Sequence, residues 1–137
     1  MSFKEKKYEI LPHISDLKIR IFGRTKENIF QNALFAMSEN MKPEVSKKNT
    51  ERKVKIKSLD SATLLADFLN ETLYLSQVKK EAYFNLKISK LTDTELEGEI
   101  AGEKVKRFGE DIKAVTYHDL EVKQVADGWE AVIVFDI

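Results

Sequence analysis

Cysteine is absent from the chain. Disulfide bonds, thiolate nucleophiles and cysteine-based zinc sites are therefore excluded. Small secreted domains commonly depend on disulfides, so this absence favours a cytoplasmic location. Histidine is almost as scarce, because the whole chain contains 2 residues. A metal site built from several histidines is excluded as well.

The chain has no excess of charge of either sign, because 23 lysine and arginine residues balance 23 aspartate and glutamate residues. Proteins that coat nucleic acids usually carry a basic excess, since neutralising phosphates supplies most of their non-specific affinity. We therefore expect no DNA partner, and we expect any contact with RNA to be indirect. A basic run at 47–57, interrupted by Glu51, is interpreted first as a solvated loop and strand face.

Long apolar runs are also missing. No segment approaches the roughly 18 apolar residues that a membrane span needs, and the opening MSFKEKKYEI lacks the apolar stretch of a signal peptide. We therefore expect no membrane partner. Gly-rich phosphate loops and the Gly-x-Ser-x-Gly nucleophile motif do not occur either, which argues against an enzyme.

Hydrophobic residues make up 42% of the 137 residues, enough for the core of one domain spanning 1–137. Two helices are predicted. The first follows Thr25, a suitable N-cap residue, and runs to about Asn40. The second runs from Asp60 to Leu75, with leucine and phenylalanine side chains at helical spacing on its buried face.

Strands are predicted at 15–22, 52–58, 82–91, 94–101, 113–124 and 129–137, and the charged stretch 102–112 is predicted as a connection. Asp127-Gly128 predicts a hairpin with a type I′ turn. Two helices among about six strands with mostly short connections indicate an α+β fold. In this fold the two helices pack on a mixed, largely antiparallel sheet.

The last strand, WEAVIVFDI, is apolar on both faces, which indicates a central strand covered on both sides. It ends in Asp136 and the carboxylate of Ile137, two neighbouring negative groups. Either the strand end emerges into solvent, or a cation offsets the repulsion between these groups. Oxygen ligands without cysteine favour a hard cation such as calcium or magnesium.

His13 and Asp16 form a second candidate site directly before a predicted strand. Asp16 is suited either to bind a ligand or to hydrogen-bond a local turn. A third candidate is the segment KAVTYH, in which Lys113 and His118 are suited to proton transfer near carboxylates. The more ordinary roles are an ion pair for Lys113 and simple packing for His118.

Asp67 is a candidate on the second helix, where it shares a face with Asn70 and Glu71. A solvated helix face is the default interpretation of this group.

Taken together, these segments resemble the archease family over nearly the whole chain. The resemblance begins with His13-x-x-Asp16, Gly23 and IFQNA at 29–33. It continues through LLADFLNETLY at 64–74 and GE at 102–103. It is strongest in KAVTYHDLEV at 113–122, and it ends in GWEA at 128–131 and DI at 136–137. The order and spacing of the segments make the combination specific.

The resemblance implies an activator of RtcB-type RNA ligases, which join RNA ends in tRNA splicing and RNA repair. Such an activator promotes guanylylation of the ligase and its multiple turnover, and it has no catalytic or nucleotide-binding residues of its own. The resemblance also implies a divalent-ion site at Asp16, Asp136 and Ile137, with calcium favoured over magnesium. A contact surface for the partner would include His13, Asp67, Lys113 and His118.

Two other functions are compatible with the sequence. The first is a chaperone-like modulator of a tRNA-modifying enzyme such as a tRNA methyltransferase, which has also been associated with archease-like proteins. The second is a metal-dependent hydrolase that uses Asp16 and Asp136, and the lack of a recognisable nucleophile argues against it.

Two departures from the family pattern are visible. The opening reads His-Ile-Ser-Asp where His-Thr-Ala-Asp is common, and the stretch KVKRFG after Glu103 lacks the family's histidine.

Overall fold

The computed structural model of the protein describes residues 6–137. This part of the chain forms eight strands and two helices. In chain order they are β1 (Tyr8–Leu11), β2 (Leu17–Gly23), α1 (Lys26–Asn40), β3 (Pro43–Lys57), α2 (Ser61–Lys79), β4 (Glu81–Leu91), β5 (Glu95–Phe108), β6 (Ala114–Val115), β7 (Glu121–Val125) and β8 (Gly128–Asp136). Neither helix is long and apolar enough to cross a membrane.

The strands form two antiparallel sheets. One has five strands in the order β1-β2-β8-β6, with β7 pairing beside β6 on the same edge of β8. The other has three strands in the order β3-β5-β4. Every strand pair within residues 6–137 is antiparallel. The predicted α+β class with two helices is confirmed, and the strands are divided between two sheets.

Helix α1 begins directly after its predicted N-cap, Thr25, and α2 begins one residue after its predicted start at Asp60. The Thr25 hydroxyl accepts a hydrogen bond from the backbone amide of Asn28 at 3.1 Å. The Asp60 carboxylate likewise accepts one from the amide of Thr63 at 2.8 Å. These bonds satisfy amides that have no partner in the first turn of a helix. The helices then bury their apolar faces between the sheets, and their Phe30 and Phe68 rings lie 5.9 Å apart.

Several predicted strand bounds are wrong. β3 begins at Pro43 instead of 52, and β5 continues to Phe108 through the stretch predicted as a connection. The segments that lie outside the predicted strands, 43–51 of β3 and 102–108 of β5, pair with each other, and Pro43 is the partner of Phe108. Their side chains are mostly exposed or half-buried, so no apolar alternation marks them in the sequence. β1 was missed because it is a short edge strand that follows a charged segment.

The turn before β8 also differs from the prediction. Val125 pairs with Gly128, so Ala126 and Asp127 form the two-residue turn, and Gly128 is already in the strand. A Cβ atom on Gly128 would lie 2.4 Å from the backbone oxygen of Gly23. Glycine is therefore required here for the close approach of β8 to β2 and for its φ of +143°, and not for a type I′ turn.

A buried carboxylate joins the three strands of the smaller sheet. Glu81, the first residue of β4, is 0% exposed. It accepts hydrogen bonds from Arg52 of β3 at 3.0 and 2.8 Å and from the Tyr83 hydroxyl at 2.5 Å. Lys104 of β5 lies 3.5 Å away. The hydrogen bonds from Arg52, supported by the one from Tyr83, lower the pKa of Glu81 to about 2.

Candidate functional site

Two of the predicted ligands lie at the same end of the five-stranded sheet. Leu17, the first residue of β2, pairs with Phe135 of β8. Asp16 directly precedes this pair and Asp136 directly follows it, so both aspartates lie where the two neighbouring strands end. Asp16 is half-buried, whereas Asp136 and Ile137 are exposed. The strand end emerges into solvent, as one of the two interpretations of the sequence held, and it is accessible to a dissolved ion.

A tight turn precedes Asp16. Ser15 has φ of 70°, in the left-handed region that non-glycine residues seldom adopt. The turn brings Nδ1 of His13 to 3.6 Å from a carboxylate oxygen of Asp16. His13 therefore borders the predicted ion site.

The segment 113–116 forms the other border of this sheet end. The amide of Lys113 donates to the carbonyl oxygen of Asp136 at 2.7 Å, and the amide of Thr116 donates to that of Val134 at 2.9 Å. Ala114 is paired with Asp136. The backbone of Asp136 is thus held by the Lys113 segment, while the Lys113 side chain is exposed.

The predicted continuous strand 113–124 is wrong. β6 ends at Val115 and β7 begins at Glu121. The intervening loop carries Asp119 to 4.0 Å from the ammonium group of Lys18 on β2. The loop therefore reaches across β8, and Val134, which is paired with Lys18, is 1% exposed. The face of β8 that carries Ile133 is buried, whereas Val132 on the opposite face stays half-buried, so the predicted covering of both faces is only partly met.

His118 lies in this loop and does not pack against the core. It is exposed, and its Nε2 atom lies 3.2 Å from the Asp119 carboxylate. Simple packing, the more ordinary of the two roles given to His118, is therefore wrong.

The 112–117 segment is hydrogen-bonded to helix α2 as well as to β8. The amide group of Asn70 donates to the carbonyl oxygen of Val115 at 3.0 Å and accepts from its N–H at 2.9 Å. Gln77 donates to the carbonyl oxygen of Ile112 at 2.8 Å. These contacts tie a short strand to a long helix.

Asp67 is part of the same arrangement. Its carboxylate accepts hydrogen bonds from the hydroxyls of Tyr117 and Ser58. The hydrogen bond to Asp67 raises the pKa of Tyr117. The default interpretation of a solvated face is wrong for Asp67, which is half-buried and bonded on both sides. Sequence reasoning missed Tyr117, Ser58 and Gln77, and the spacing of Asp67 and Asn70 on one helix face was the available signal.

The sequence of this chain matches the model of the Archease protein family (MTH1598/TM1083) over residues 8–137. The chain belongs to the archease family. Its relatives include protein archease of Methanosarcina barkeri, 37% identical with 100% of both chains covered. They also include protein archease of Pyrococcus furiosus, 32% identical with 96% of this chain and 99% of the relative covered.

Two solved structures share the archease fold. The solution structure of protein 1598 of Methanobacterium thermoautotrophicum is 25% identical, with a TM-score of 0.72, and covers 96% of this chain and 99% of its own. The crystal structure of an archease from Thermotoga maritima, described as a possible chaperone, is 20% identical, with a TM-score of 0.67, and covers 100% of this chain and 99% of its own. The two-helix, two-sheet architecture is therefore that of the family.

The donors at the sheet end suit a hard divalent ion. The predicted set comprises the side-chain carboxylates of Asp16 and Asp136 and the carboxylate of Ile137, all of them anionic oxygen ligands of the kind that calcium and magnesium bind. Among residues 6–137, no group of three or more histidine, aspartate or glutamate side chains is gathered closely enough to hold a metal ion. The predicted set has two such side chains, those of Asp16 and Asp136.

Proposed function

We propose that this archease activates an RtcB-type RNA ligase in the cytoplasm. It promotes guanylylation and multiple turnover of the ligase through a surface that bears a divalent ion, and it has no catalytic activity of its own. Its contact with RNA is made through the ligase. Family membership supports the choice of partner, and the sheet end at Asp16 and Asp136 supports the choice of surface.

One observation carries the proposal of a contact surface over that of a catalytic pocket. The sheet end that bears the carboxylates also presents large apolar side chains to solvent. Ile14 is 90% exposed and Ile137 50%. Ile14 lies in the turn before Asp16, and Ile137 follows Asp136 directly. Exposed apolar residues gathered around polar groups are typical of protein–protein contact sites, whereas small-molecule sites are concave.

The proposed ion is held by Asp16, Asp136 and the terminal carboxylate of Ile137. Calcium is favoured over magnesium, because calcium accepts irregular sets of oxygen ligands and magnesium demands a near-octahedral one. When bound, the ion supplies positive charge that offsets the repulsion among these carboxylates. The residues of the chain then present to the partner a fixed edge whose negative charge is largely offset, bordered by His13, Lys113 and His118.

Appending one alanine after Ile137 is expected to weaken calcium binding by roughly tenfold, since the terminal carboxylate becomes a neutral peptide carbonyl that still coordinates calcium weakly. The fold should survive because Ile137 lies outside the core. Isothermal titration with calcium chloride measures the affinity, and a melting curve checks the fold.

An alanine added before Met1 serves as the control for this extension and should leave calcium binding unchanged. Identical titrations for the two extended proteins would remove the terminal carboxylate from the site.

The proposed function is tested by RNA joining under substrate excess. With RNA ends in large excess over the cognate ligase, we expect the ligase alone to stop near one product per enzyme and the mixture with this protein to continue. This protein alone should neither seal nor cleave the RNA. Equal yields with and without it, over a range of ligase concentrations, would contradict activation.

A second candidate function is chaperone-like modulation of a tRNA-modifying enzyme such as a tRNA methyltransferase. It is favoured by the description of the Thermotoga maritima archease as a possible chaperone. Light scattering of the cognate methyltransferase on heating tests it, because a chaperone would suppress aggregation. Suppression without an effect on ligase turnover would favour this second candidate over the first.

A further inference from the structure

Side chains of helix α2 form hydrogen bonds with the segment that borders the candidate ion site. The side-chain amide of Asn70 donates to the carbonyl oxygen of Val115 at 3.0 Å and accepts from its N–H at 2.9 Å. Two residues before Val115, the amide of Lys113 holds the carbonyl oxygen of Asp136 at 2.7 Å. A continuous path of short bonds therefore joins the helix to a proposed ligand residue.

The segment 112–117 has little support from the sheet, although Ile112 and Val115 are buried in the core. β6 spans two residues, and the chain leaves the sheet at Thr116. A strand this short gains little from its ladder of hydrogen bonds, because each bond must offset the entropy of ordering its residues. The side chains of α2 take over that role at three points along residues 112–117, namely Gln77 at Ile112, Asn70 at Val115 and Asp67 at Tyr117.

We propose that Asn70 and Asp67 are positioning residues for the ion site. By fixing residues 113–117 against α2, they fix the backbone of Asp136 and hence the distance between its carboxylate and that of Asp16. Groups that hydrogen-bond a metal ligand commonly change ion affinity by roughly 10- to 100-fold when they are lost. Asn70 acts one link further away, through the segment whose Lys113 amide bonds Asp136, so we expect the lower end of that range. The inference rests on the ion site of the proposed function and assigns residues to its support.

Asn70→Ala removes both bonds to Val115, and Tyr117→Phe removes the hydroxyl that bonds Asp67. Gln31→Ala is a matched control. Gln31 lies on α1, is half-buried, and also forms two bonds with a strand backbone, donating to Phe84 at 2.7 Å and accepting from Leu86 at 2.5 Å. The strand that Gln31 contacts is β4, which belongs to the three-stranded sheet and not to the sheet that bears the ion site.

The first readout needs no ion. Hydrogen exchange of backbone amides, followed by NMR, should show faster exchange at Lys113 in Asn70→Ala and unchanged exchange there in Gln31→Ala. The second readout is calcium titration. Asn70→Ala is expected to weaken calcium binding about tenfold, Tyr117→Phe severalfold, and Gln31→Ala not at all, although both alanine variants should lower the melting temperature.

The outcomes separate this inference from the proposals on which it rests. Wild-type affinity for calcium in Asn70→Ala, or equal losses in Asn70→Ala and Gln31→Ala, would overturn the positioning role alone. A wild-type protein that binds no calcium would overturn the ion site and the positioning role together. A protein that binds calcium with the predicted pattern but leaves the ligase unchanged would overturn ligase activation and uphold the positioning role. Tyr117→Phe keeps the test decisive if Asn70→Ala fails to fold.

Discussion

Calcium binding is expected to weaken by about a hundredfold or more when Asp16 is replaced by alanine. The substitution removes a full negative charge and a ligand from a set of three carboxylates. At roughly 2.5 Å and an effective dielectric of about 20, the attraction between one such charge and a divalent ion is on the order of ten kcal/mol before desolvation is subtracted. The loss of calcium affinity should exceed that caused by adding alanine after Ile137, because the extension leaves a carbonyl oxygen in place and Asp16→Ala leaves no oxygen ligand.

The fold should tolerate the change, since Asp16 is half-buried at the rim of the sheet and its side chain contacts His13 at 3.6 Å. Calcium titration and a thermal melt measure the two effects separately. Asp127→Ala, in the turn at the opposite end of β8, makes the same change in net charge and should bind calcium as the wild type does. Unchanged affinity in Asp16→Ala would exclude Asp16 from the site, and loss of the fold would show that its role is structural.

Replacing Glu81 with glutamine is expected to lower the free energy of unfolding by about 3 kcal/mol. The amide group of glutamine would place donor hydrogens against the Arg52 guanidinium, and the buried cluster would lose its charge balance. The value lies at the lower end for a broken buried ion pair because the Arg52 side chain remains 36% exposed. Urea denaturation measures the loss.

Glu44→Gln is the matched control, since Glu44 also accepts from an arginine Nε, that of Arg107, at 3.0 Å. Those side chains are 52% and 80% exposed, so little stability should be lost. Equal losses in Glu44→Gln and Glu81→Gln would contradict the importance of burial.

The low pKa of the Glu81 carboxylate also predicts how the free energy of unfolding depends on pH. The pKa of Glu81 is about 2 in the folded protein, below the ordinary value of 4.5. The unfolded chain therefore takes up a proton first as the pH falls, so the stabilisation is complete above 4.5 and is lost as the pH falls toward 2. Unfolding free energies of the wild type and of Glu81→Gln should converge over that window. A constant difference between them would contradict the assignment.

Elements that bury one face were predictable from the sequence. The apolar stripes placed α1 and the start of α2, because burial of one helix face requires apolar residues at helical spacing. The predicted end of α2 at Leu75 was too early, since the helix continues to Lys79. β8 was equally clear, because its long apolar run predicts a strand that packs on the core. The segments 43–51 of β3 and 102–108 of β5 were not predictable, because they pair with each other and their side chains remain largely in contact with water.

The candidate site was predictable only in its local parts. Asp16 and Asp136 were singled out from their places at strand ends, and the structure sets those strand ends side by side. The bonds from Asp67 to Tyr117 and from Asn70 to Val115 join residues 50 and 45 positions apart. No periodicity encodes such a pairing, and the strand prediction through 113–124 obscured the loop that places Tyr117 over the helix.

The central claim, activation of a ligase, is tested most directly by the rate at which the cognate RtcB-type ligase becomes guanylylated. The ligase is incubated with radiolabelled GTP and a divalent ion, with and without this protein, and the covalent product is followed over time. We expect faster guanylylation with the wild-type protein, little acceleration with Asp16→Ala, and no label on this protein alone. Superimposable time courses with and without the wild-type protein would contradict it.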